Sequence, residues 1–496
     1  MKPQPFPSTR TIAMGIFILW SAIILTAILV IRPGWGFMDD HSNLRISRDF
    51  WGDPSWGRLE RFIMDDISVG CFRPVYKLWI ISAYKIAENA PVLIYFFTTL
   101  IGLALLPLWG LILDNAFNQK KRDPFLIWVY PLSFFLFTPF WNAFMYISVQ
   151  ERFIYFFSTP AIYFFLKSYS DKKWQPFLLS LLFVFLAIMA KATGIVLIMG
   201  FAAYAFLDAI LFKRQARASW MITAISAAVF SGYYFFIQST LKNYTAKYAS
   251  NSNIHSILAN LLASPVYIKL ILFILAFVIL YEIFRKLIDK DFEGTGASLF
   301  AWLTIFYILI LTPWGFQTYL LSPMAPFLMA TGVFFFKWRD RSPLFKRIKQ
   351  ISLVILIFLV TFLIIIPQIH KMADKRKVAA QVHSISTQDP SAVFFYPRPY
   401  EETSIALSAF SGSKINYLGN GALTARDIPA RTTPYLLIND ECAPAQLSDL
   451  SASAQVYASS TWAIYKLKTT PAQSSSFKPP FAQNFIQVLK TFIKRI

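Results

Sequence analysis

The sequence predicts an α-helical polytopic membrane protein that ends in a small α/β domain outside the membrane. Hydrophobic residues make up 56% of the 496-residue chain and charged residues only 15%, whereas soluble domains carry about a quarter charged residues. Apolar runs of about 20 residues, the length that crosses a bilayer, recur between residues 11 and 367. Beyond residue 370 the pattern changes to short β-prone runs separated by Pro, Gly and Ser.

We predict about eleven transmembrane helices, because a span needs about 20 predominantly apolar residues. The first run follows Lys2 and Arg10 and lacks a small-residue cleavage site, so we expect a retained helix rather than a signal peptide. The predicted spans lie near residues 11–31, 91–113, 124–142, 153–167, 174–190, 194–212, 219–237, 266–284, 298–314, 318–336 and 351–367.

The positive charge of the chain is distributed as an orientation signal. Lys and Arg number 47 against 26 Asp and Glu, a net charge of +21. Such an excess in a soluble protein would suggest nucleic acid, but here it falls in short loops between apolar runs, so we predict no nucleic-acid partner. By the positive-inside rule these loops and the N-terminus are cytoplasmic, in what we expect to be a bacterial inner membrane. The basic loops are 118–123, 167–173, 213–217, 285–290 and 337–349.

With this orientation, we predict that the chain is divided into three parts. Residues 1–369 form a membrane domain whose long first loop, 32–90, lies on the outer face. Residues 370–470 form an extracytoplasmic α/β domain, and 471–496 are a linker followed by a basic amphipathic tail that could lie on a membrane surface. Within the α/β domain we predict a helix at 373–384 and strands at 393–396, 415–418, 435–439 and 462–467.

Two acidic pairs in the first outer loop are the leading catalytic candidates. Asp39 and Asp40 directly follow the first predicted helix, and Asp65 and Asp66 precede Arg73. A carboxylate at the membrane interface can accept a proton from an attacking hydroxyl, and an arginine can bind a phosphate bidentately. The alternative is that these acids cap helices or form ion pairs with nearby arginines, for which the candidates are Arg45, Arg48, Arg58 and Arg61.

Further charged residues are predicted at helix ends on the same face, where charge close to hydrocarbon favours a functional role. Glu151 and Arg152 open the fourth predicted helix and form either a local salt bridge or part of a shared cavity. Lys191 interrupts a long apolar stretch, either as a snorkelling side chain or as a point charge for a lipid phosphate. His41 is the histidine that lies near the other candidates, so it is a possible metal ligand.

The order and sidedness of these motifs resemble the GT-C superfamily of integral membrane glycosyltransferases. The resemblance rests on the acidic pair after helix one, the Arg-Pro that opens the next helical segment, the arginine near the start of helix four and a Lys-x-x-Gly break. It also includes the segment 317–323, with Gln317 and Tyr319, which looks like an Arg-Tyr-Leu-x-Pro motif. This sequence has Asp-Asp where many members have Asp-Glu, and Gln317 where many have arginine. Members such as protein O-mannosyltransferases and the aminoarabinose transferases of lipid A use lipid-linked sugars.

The resemblance implies a transferase that moves a sugar from a polyprenyl-phosphate donor to a glycan, lipid or protein acceptor of the cell envelope. Asp39 or Asp40 would activate the acceptor, and Arg73, Lys191 and Arg152 would bind the lipid phosphate. Direct attack at the anomeric carbon would invert its configuration. Some members hold a divalent metal near the acidic loop, so a metal remains an open expectation, and no other cofactor is predicted.

Two other functions remain open at this point. A transporter or flippase for a lipid-linked glycan would often show two related halves with broken helices, and the sequence has no such internal symmetry. A non-catalytic GT-C scaffold would not need the acidic pair that this chain retains.

The two cysteines, Cys71 and Cys442, both fall on the predicted outer face, where disulfides can persist. A bridge between them would tie the first loop to the C-terminal domain. The alternative is two unrelated thiols, one in each part.

Overall fold

The fold is mostly helical, with two small β-sheets near the C-terminus, in a computed structural model of the chain. The structure describes residues 8–35, 40–68, 71–88, 90–116, 122–145, 150–171, 173–212, 216–240, 266–288, 296–311, 323–338, 343–397, 401–418, 422–424, 428–439, 445–448, 450–459, 462–469 and 475–477.

The first helix crosses the predicted membrane and leads into three short helices. Helix α1 begins after Ser8, whose hydroxyl accepts from the backbone N–H of Thr11 at 3.2 Å, as an N-cap does. It ends at Arg32, which adopts a left-handed conformation with φ of 56°. The helices of this first part are α1 (Thr9–Ile31), α2 (Asp40–Gly52), α3 (Trp56–Ser68) and α4 (Pro74–Ile86).

The remaining helices build the apolar body and reach into the C-terminal domain. In chain order they are α5 (Val92–Ala116), α6 (Pro124–Trp128), α7 (Thr138–Met145), α8 (Glu151–Asp171), α9 (Gln175–Ala190), α10 (Val196–Leu207), α11 (Ala216–Thr240), α12 (Val266–Ile288), α13 (Gly296–Leu311), α14 (Met324–Trp338), α15 (Pro343–Val360), α16 (Ile366–Gln388) and α17 (Glu401–Ser411). Short 3₁₀ turns occupy Tyr130–Leu136 and Ala192–Ile195, and π-helical turns occupy Asp208–Phe212 and Thr361–Ile365.

Five described helical segments are long and apolar enough to cross a membrane, so this is an integral membrane protein. A sixth would be the pair Pro124–Leu136 and Thr138–Phe144, which is bent by 90°. All eleven predicted apolar runs overlap helices, but several of these helices are shorter than a full span, so the number of crossings stays a prediction. The five segments are Thr9–Ile31, Val92–Ala116, Ala192–Ile210, Ala218–Phe236 and Lys346–Gln388.

The outward faces of the apolar helices carry large hydrophobic side chains. On α12, Leu270, Phe273, Phe277 and Leu280 are all exposed and recur at helical spacing, so they form one stripe. An apolar stripe of this kind would be a liability in water and is the expected surface toward lipid. The inner faces instead pack around large buried aromatic side chains such as Trp109.

One long helical segment joins the membrane body to the C-terminal domain. Helix α15 continues through the π-helical turn Thr361–Ile365 into α16. Trp20 on α1 donates its indole N–H to Thr361 Oγ1 at 2.7 Å, which satisfies both buried polar groups. Further along, Val382 on α16 belongs to the hydrophobic core of the C-terminal sheet. The predicted domain boundary at residue 370 therefore falls within a continuous helix, of which the predicted helix 373–384 is one part.

The C-terminal domain is a mixed sheet with the strand order β2-β1-β4-β7-β6. Strand β1 pairs in parallel with β2 and β4, while β7 runs antiparallel to β4 and β6. The four predicted strands coincide with β1, β2, β4 and β7, which confirms the small sheet. The strands are β1 (Ala392–Pro397), β2 (Ile415–Leu418), β3 (Ala422–Thr424), β4 (Thr433–Asn439), β5 (Ala445–Ser448), β6 (Leu450–Ala458), β7 (Trp462–Thr469) and β8 (Ser475–Phe477).

The sequence analysis did not predict β6 or the second, three-stranded sheet of order β3-β5-β8. Strand β6 is an edge strand rich in Ser and Ala, which have weak β propensity. Helix α17 lies between β1 and β2 in the chain, so the three elements form a parallel β-α-β unit, a topology that requires a crossover connection.

The long helix from α15 to α16 provides a test of topology. Arg347 and Thr387 are exposed near its two ends, about 60 Å apart at 1.5 Å per residue, which exceeds the hydrocarbon thickness of about 30 Å. With Cys71 and Cys442 replaced by serine, Arg347→Cys should react with a membrane-impermeant maleimide only after the cytoplasmic side is opened. Thr387→Cys should react from outside in intact cells. Labelling of both sites from the same side would contradict the predicted orientation.

Candidate active site

Asp40, at the start of α2, is a buried carboxylate with a fixed hydrogen-bond partner. Its side chain is 1% exposed, and the Tyr84 hydroxyl donates to its Oδ1 at 2.7 Å. Asn43 Nδ2 donates in turn to the Tyr84 oxygen at 3.2 Å. Burial, reinforced by the charge of Asp40, raises the pKa of Tyr84 well above its ordinary value, so the phenol keeps its proton and remains a donor. Asp40, one of the two acids expected to activate the acceptor, is therefore buried and held by an ordered hydrogen-bond partner.

Asp66 and Arg73 form a second charged group at the other end of the same loop. Arg73 donates from Nε to Asp66 Oδ2 at 2.9 Å and from Nη2 to Oδ1 at 2.5 Å, a bidentate geometry. Lys77 Nζ lies 3.3 Å from Asp66 Oδ1. Burial lowers the pKa of Arg73, but the hydrogen bond and the charge of Asp66 outweigh it and raise the pKa overall, so the guanidinium stays charged. Two cations face one carboxylate, which leaves this group with a net positive charge.

Glu151 and Arg152 bring a third charged group to the start of α8. Lys191 Nζ forms an ion pair with Glu151 Oε1. Lys191 adopts an extended backbone that ends α9, and the turn can close tightly because Gly194 has no side chain. A Cβ on Gly194 would lie 2.6 Å from the carbonyl carbon of Ala187. This close approach gives a physical reason for the Lys-x-x-Gly break.

Arg152 is 0% exposed and links the third group to the first. Its guanidinium interacts electrostatically with Asp40, Tyr76, Tyr84 and Tyr95. A buried arginine requires compensating charge and hydrogen bonds, and Asp40 is the carboxylate among these groups. The opening of α8 therefore lies against the base of the outer loop.

Aromatic rings connect the charged groups. Arg73 lies over the ring of Tyr76, 5.8 Å from its centroid, and Tyr76 meets Phe153 edge-on at 6.0 Å. Arg152 lies 5.8 Å from the centroid of Phe153. Helix α4 thus packs across the start of α8, and Arg73 and Arg152 flank the same pair of rings.

Several predicted candidates join this site, and others do not. Asp40, Asp66, Arg73, Glu151, Arg152 and Lys191 lie in the three connected groups. Asp65, next to Asp66 on α3, is instead exposed. Asp39, Gln317, Tyr319 and the side chain of His41 lie outside the described residues.

The alternative ion pairs expected for the loop acids are partly wrong. Asp66 is paired, but with Arg73 and Lys77 rather than with the arginines proposed from the sequence. Arg48 pairs with Glu88 at 2.6 Å, and Arg58 lies 3.4 Å from Asp53. Arg48 and Arg58 thus pair with other acids, whereas the buried Asp66 pairs with Arg73 and Lys77, whose side chains are themselves shielded from water.

Sequence analysis missed two residues that contact the candidate carboxylates, Lys77 and Tyr84. Both lie on α4, and Tyr84 follows Arg73 by about three helical turns at 3.6 residues per turn, so Arg73, Lys77 and Tyr84 share one face. That periodicity could have identified them. The segment did not stand out because it is too short and too mixed in polarity to register as a span.

Neither the metal expectation nor the disulfide expectation is tested by the described residues. Within the described ranges, no group of three or more His, Cys, Asp or Glu side chains is placed to hold a metal ion; Asp39 and the His41 side chain are outside them. Cys71 is half-buried, and its backbone N–H donates to the carbonyl of Asp66 at 2.8 Å. Its predicted partner, Cys442, lies outside the described residues, so the disulfide remains a prediction.

Comparison with known proteins gives similarity at the level of structure and not of sequence. No protein-family profile matches the chain, and no curated protein sequence matches it. Among solved structures, the crystal structure of ArnT from Cupriavidus metallidurans in the apo state is similar over 92% of this chain and 98% of that chain, with 11% sequence identity and a TM-score of 0.45.

Breaking the Glu151–Lys191 pair should destabilise the protein strongly, because the side chain of Glu151 is 1% and that of Lys191 15% exposed. Removing one partner of a buried pair costs about 3–5 kcal/mol, so Glu151→Gln and Lys191→Met should each lower the thermal unfolding midpoint markedly in detergent. The double variant should recover much of the loss, because no uncompensated charge remains.

The matched control is the more exposed pair between Lys85 and Glu88. Lys85→Met should cost less than about 1 kcal/mol, as surface pairs do. Equal effects of Lys85→Met and Lys191→Met would show that the buried pair contributes no special stability.

Proposed function

We propose that this protein is a glycosyltransferase that transfers a sugar from a polyprenyl-phosphate donor to an acceptor at the outer face of the membrane. The observation that supports this most directly is the electrostatic interaction between two buried charges, the carboxylate of Asp40 and the guanidinium of Arg152. Transfer from a lipid phosphate needs both a base for the acceptor and a cation for the leaving group. The GT-C resemblance of the sequence motifs points to the same reaction.

In this proposal Asp40 is the general base. The acceptor hydroxyl gives its proton to the carboxylate as its oxygen attacks the anomeric carbon. The bond between that carbon and the phosphate oxygen breaks, and the polyprenyl phosphate leaves with the electron pair. A single displacement of this kind inverts the anomeric configuration. Asp39 is the alternative base, because it is the neighbouring residue in the chain.

The phosphate would be bound by the cations of the connected groups. Arg73 and Lys77 carry two positive charges against the one negative charge of Asp66. The group can therefore bind an anion without first breaking its ion pairs with Asp66. Arg152 is close enough to interact with Asp40 and would stabilise the leaving phosphate beside the reacting carbon, as fixed charges stabilise a transition state. Lys191 is the third candidate for the phosphate.

The proposed partners follow from this arrangement. The donor is a membrane lipid that enters laterally between the helices and the first outer loop. The acceptor is a glycan, lipid or protein of the cell envelope. The expected location is a bacterial inner membrane, with the N-terminus cytoplasmic and the C-terminal domain outside.

Transport is the competing function from another class. A flippase would move the intact lipid-linked sugar across the bilayer and leave the sugar–phosphate bond unbroken. A non-catalytic scaffold would do neither. Purified protein in proteoliposomes, supplied with a panel of polyprenyl-phosphate sugars and envelope glycolipid acceptors, distinguishes the three by bond cleavage, product formation and donor movement.

Substitution of the acids tests the base. Asp40→Asn should lower kcat per donor-binding site by about 10²–10⁴-fold, the usual contribution of a general base, while the donor is still bound by Arg73 and Lys77. The matched control is Asp49→Asn, which removes an exposed acid from the same helix and should leave kcat unchanged. If Asp39→Asn is inactive and Asp40→Asn is active, Asp39 is the base.

Substitution of Arg73 tests the phosphate contact. Arg73→Gln should raise KM for the donor by about tenfold or more, the cost of a lost hydrogen bond to a charged group, and Lys77 remains to pair with Asp66. Arg61→Gln is the control, because Arg61 is exposed in the same loop. A product with retained anomeric configuration, or an unchanged KM in Arg73→Gln, would contradict the proposed mechanism.

A further inference from the structure

Trp35 joins the candidate base to the C-terminal domain through stacked rings. Its indole stacks on the ring of Tyr84 with centroids 5.1 Å apart and planes 16° apart. It also lies nearly parallel to Phe410, with centroids 6.5 Å apart and planes 6° apart. Tyr84 is the donor to Asp40, and Phe410 belongs to α17 of the C-terminal domain. Three rings therefore lead from the outer domain to the carboxylate.

The backbone before Trp35 is held by the same two parts of the molecule. The N–H of Gly34 donates to the carbonyl of Met372 on α16 at 3.2 Å, and its carbonyl accepts from the Tyr95 hydroxyl at 2.9 Å. A Cβ on Gly34 would lie 2.5 Å from the Cβ of Arg376, so only glycine fits against α16 here. The chain that leaves helix α1 is thus anchored at Gly34 on the long helix.

Helix α17 is itself fixed in the C-terminal domain. It contacts α16, β2 and the Asp40-bearing α2. His383 Nδ1 on α16 lies 2.9 Å from the carbonyl oxygen of Ser411, the residue after Phe410, within hydrogen-bonding distance. Phe410 therefore contacts Trp35 from a helix whose C-terminal end is held by His383.

We propose that Tyr84 and Trp35 are positioning residues for Asp40, and that the C-terminal domain supports the active site from outside it because Phe410 completes their ring stack. This inference rests on the proposed glycosyltransferase function. The C-terminal domain does not touch the reacting atoms; it acts through the orientation of one carboxylate.

Positioning residues matter here because a general base must be held in one orientation, and Asp40 is a single carboxylate at the start of a helix. A base must point one lone pair at the acceptor proton, and Tyr84 fixes the carboxylate by holding Oδ1. The position of Tyr84 depends in turn on what supports its ring. Trp35 is that support, and only four residues separate it from Asp40 in the chain, so its placement also limits where the acidic pair can lie.

The first test removes the hydroxyl and keeps the ring. Tyr84→Phe should lower kcat for a polyprenyl-phosphate sugar by about tenfold to a hundredfold, the effect of a lost hydrogen bond to a charged group, with KM for the donor unchanged within twofold. Tyr234→Phe makes the same change at an exposed site on α11 and should have no effect. The protein is the full chain in proteoliposomes, and kcat is expressed per donor-binding site so that misfolded protein is not counted.

The second test acts from the C-terminal domain. Phe410→Ala should lower kcat per donor-binding site, and Phe410→Tyr should restore it, because the ring returns. Ile405→Ala is the control, since Ile405 is an exposed apolar residue on the same helix. A merely structural role for Phe410 would reduce the number of binding sites and leave kcat per site intact.

The outcomes separate this inference from the proposed function. If Asp40→Asn is inactive but Tyr84→Phe and Phe410→Ala keep wild-type kcat, the positioning role is wrong and the function stands. If the wild-type protein transfers no sugar from any donor of the panel, or Asp40→Asn is fully active, the proposed function or its base is wrong, and the positioning role falls with it.

Discussion

The burial of charge at the start of α8 is the constraint on which the rest of the site depends. Glu151 and Arg152 are adjacent in the chain and almost wholly inaccessible to water. An unpaired ion in such surroundings costs several kcal/mol, so each of the two needs a partner on a different element. Lys191 reaches Glu151 from the end of α9, and Asp40 at the start of α2 interacts electrostatically with Arg152. Meeting these requirements brings the start of α2 and the end of α9 together with the start of α8.

The long helix that runs from α15 into α16 is a second constraint on the structure. It contacts α1 through Trp20 and Thr361, and it holds Gly34 through Met372. The same helix contributes to the core of the C-terminal sheet. One helical element therefore contacts both the exit from α1 and the C-terminal domain.

The sequence predicts the local features of this structure better than its long-range contacts. Apolar runs predict helices because span length and composition are local properties. Four of the strands are predicted because they are rich in Val, Ile, Phe and Tyr, which favour β structure. The partner of Trp20 is Thr361, far away in the chain, and Phe410 meets Trp35 in the same way. No local pattern encodes such pairs, since each ring is equally compatible with a lipid-facing or a core position.

The candidate site shows the same division. Acids and bases at helix ends could be selected from the sequence because charge next to hydrocarbon is costly. Which acid pairs with which base could not, as Asp66 demonstrates: its partners Arg73 and Lys77 lie across a turn, whereas the arginines favoured from the sequence bind elsewhere or face solvent. Pairing depends on which side chains are shielded together, and that is decided by how α3 and α4 pack.

The state of each ion pair also ranks the three cations proposed to bind phosphate. Lys191 is paired with one carboxylate, that of Glu151. To bind a phosphate, its ammonium group would have to leave Glu151 or donate hydrogen bonds to both anions. Arg73 is accompanied by Lys77, and the two exceed the charge of Asp66, so an anion can be accepted without removing an existing partner. Preorganised charge of this kind is more effective than charge that must be released. We therefore rank Arg73 first among the expected phosphate contacts. Arg152 and Lys191, each matched by one carboxylate, rank below it, and Lys191 acts mainly by holding Glu151 and the start of α8 in place.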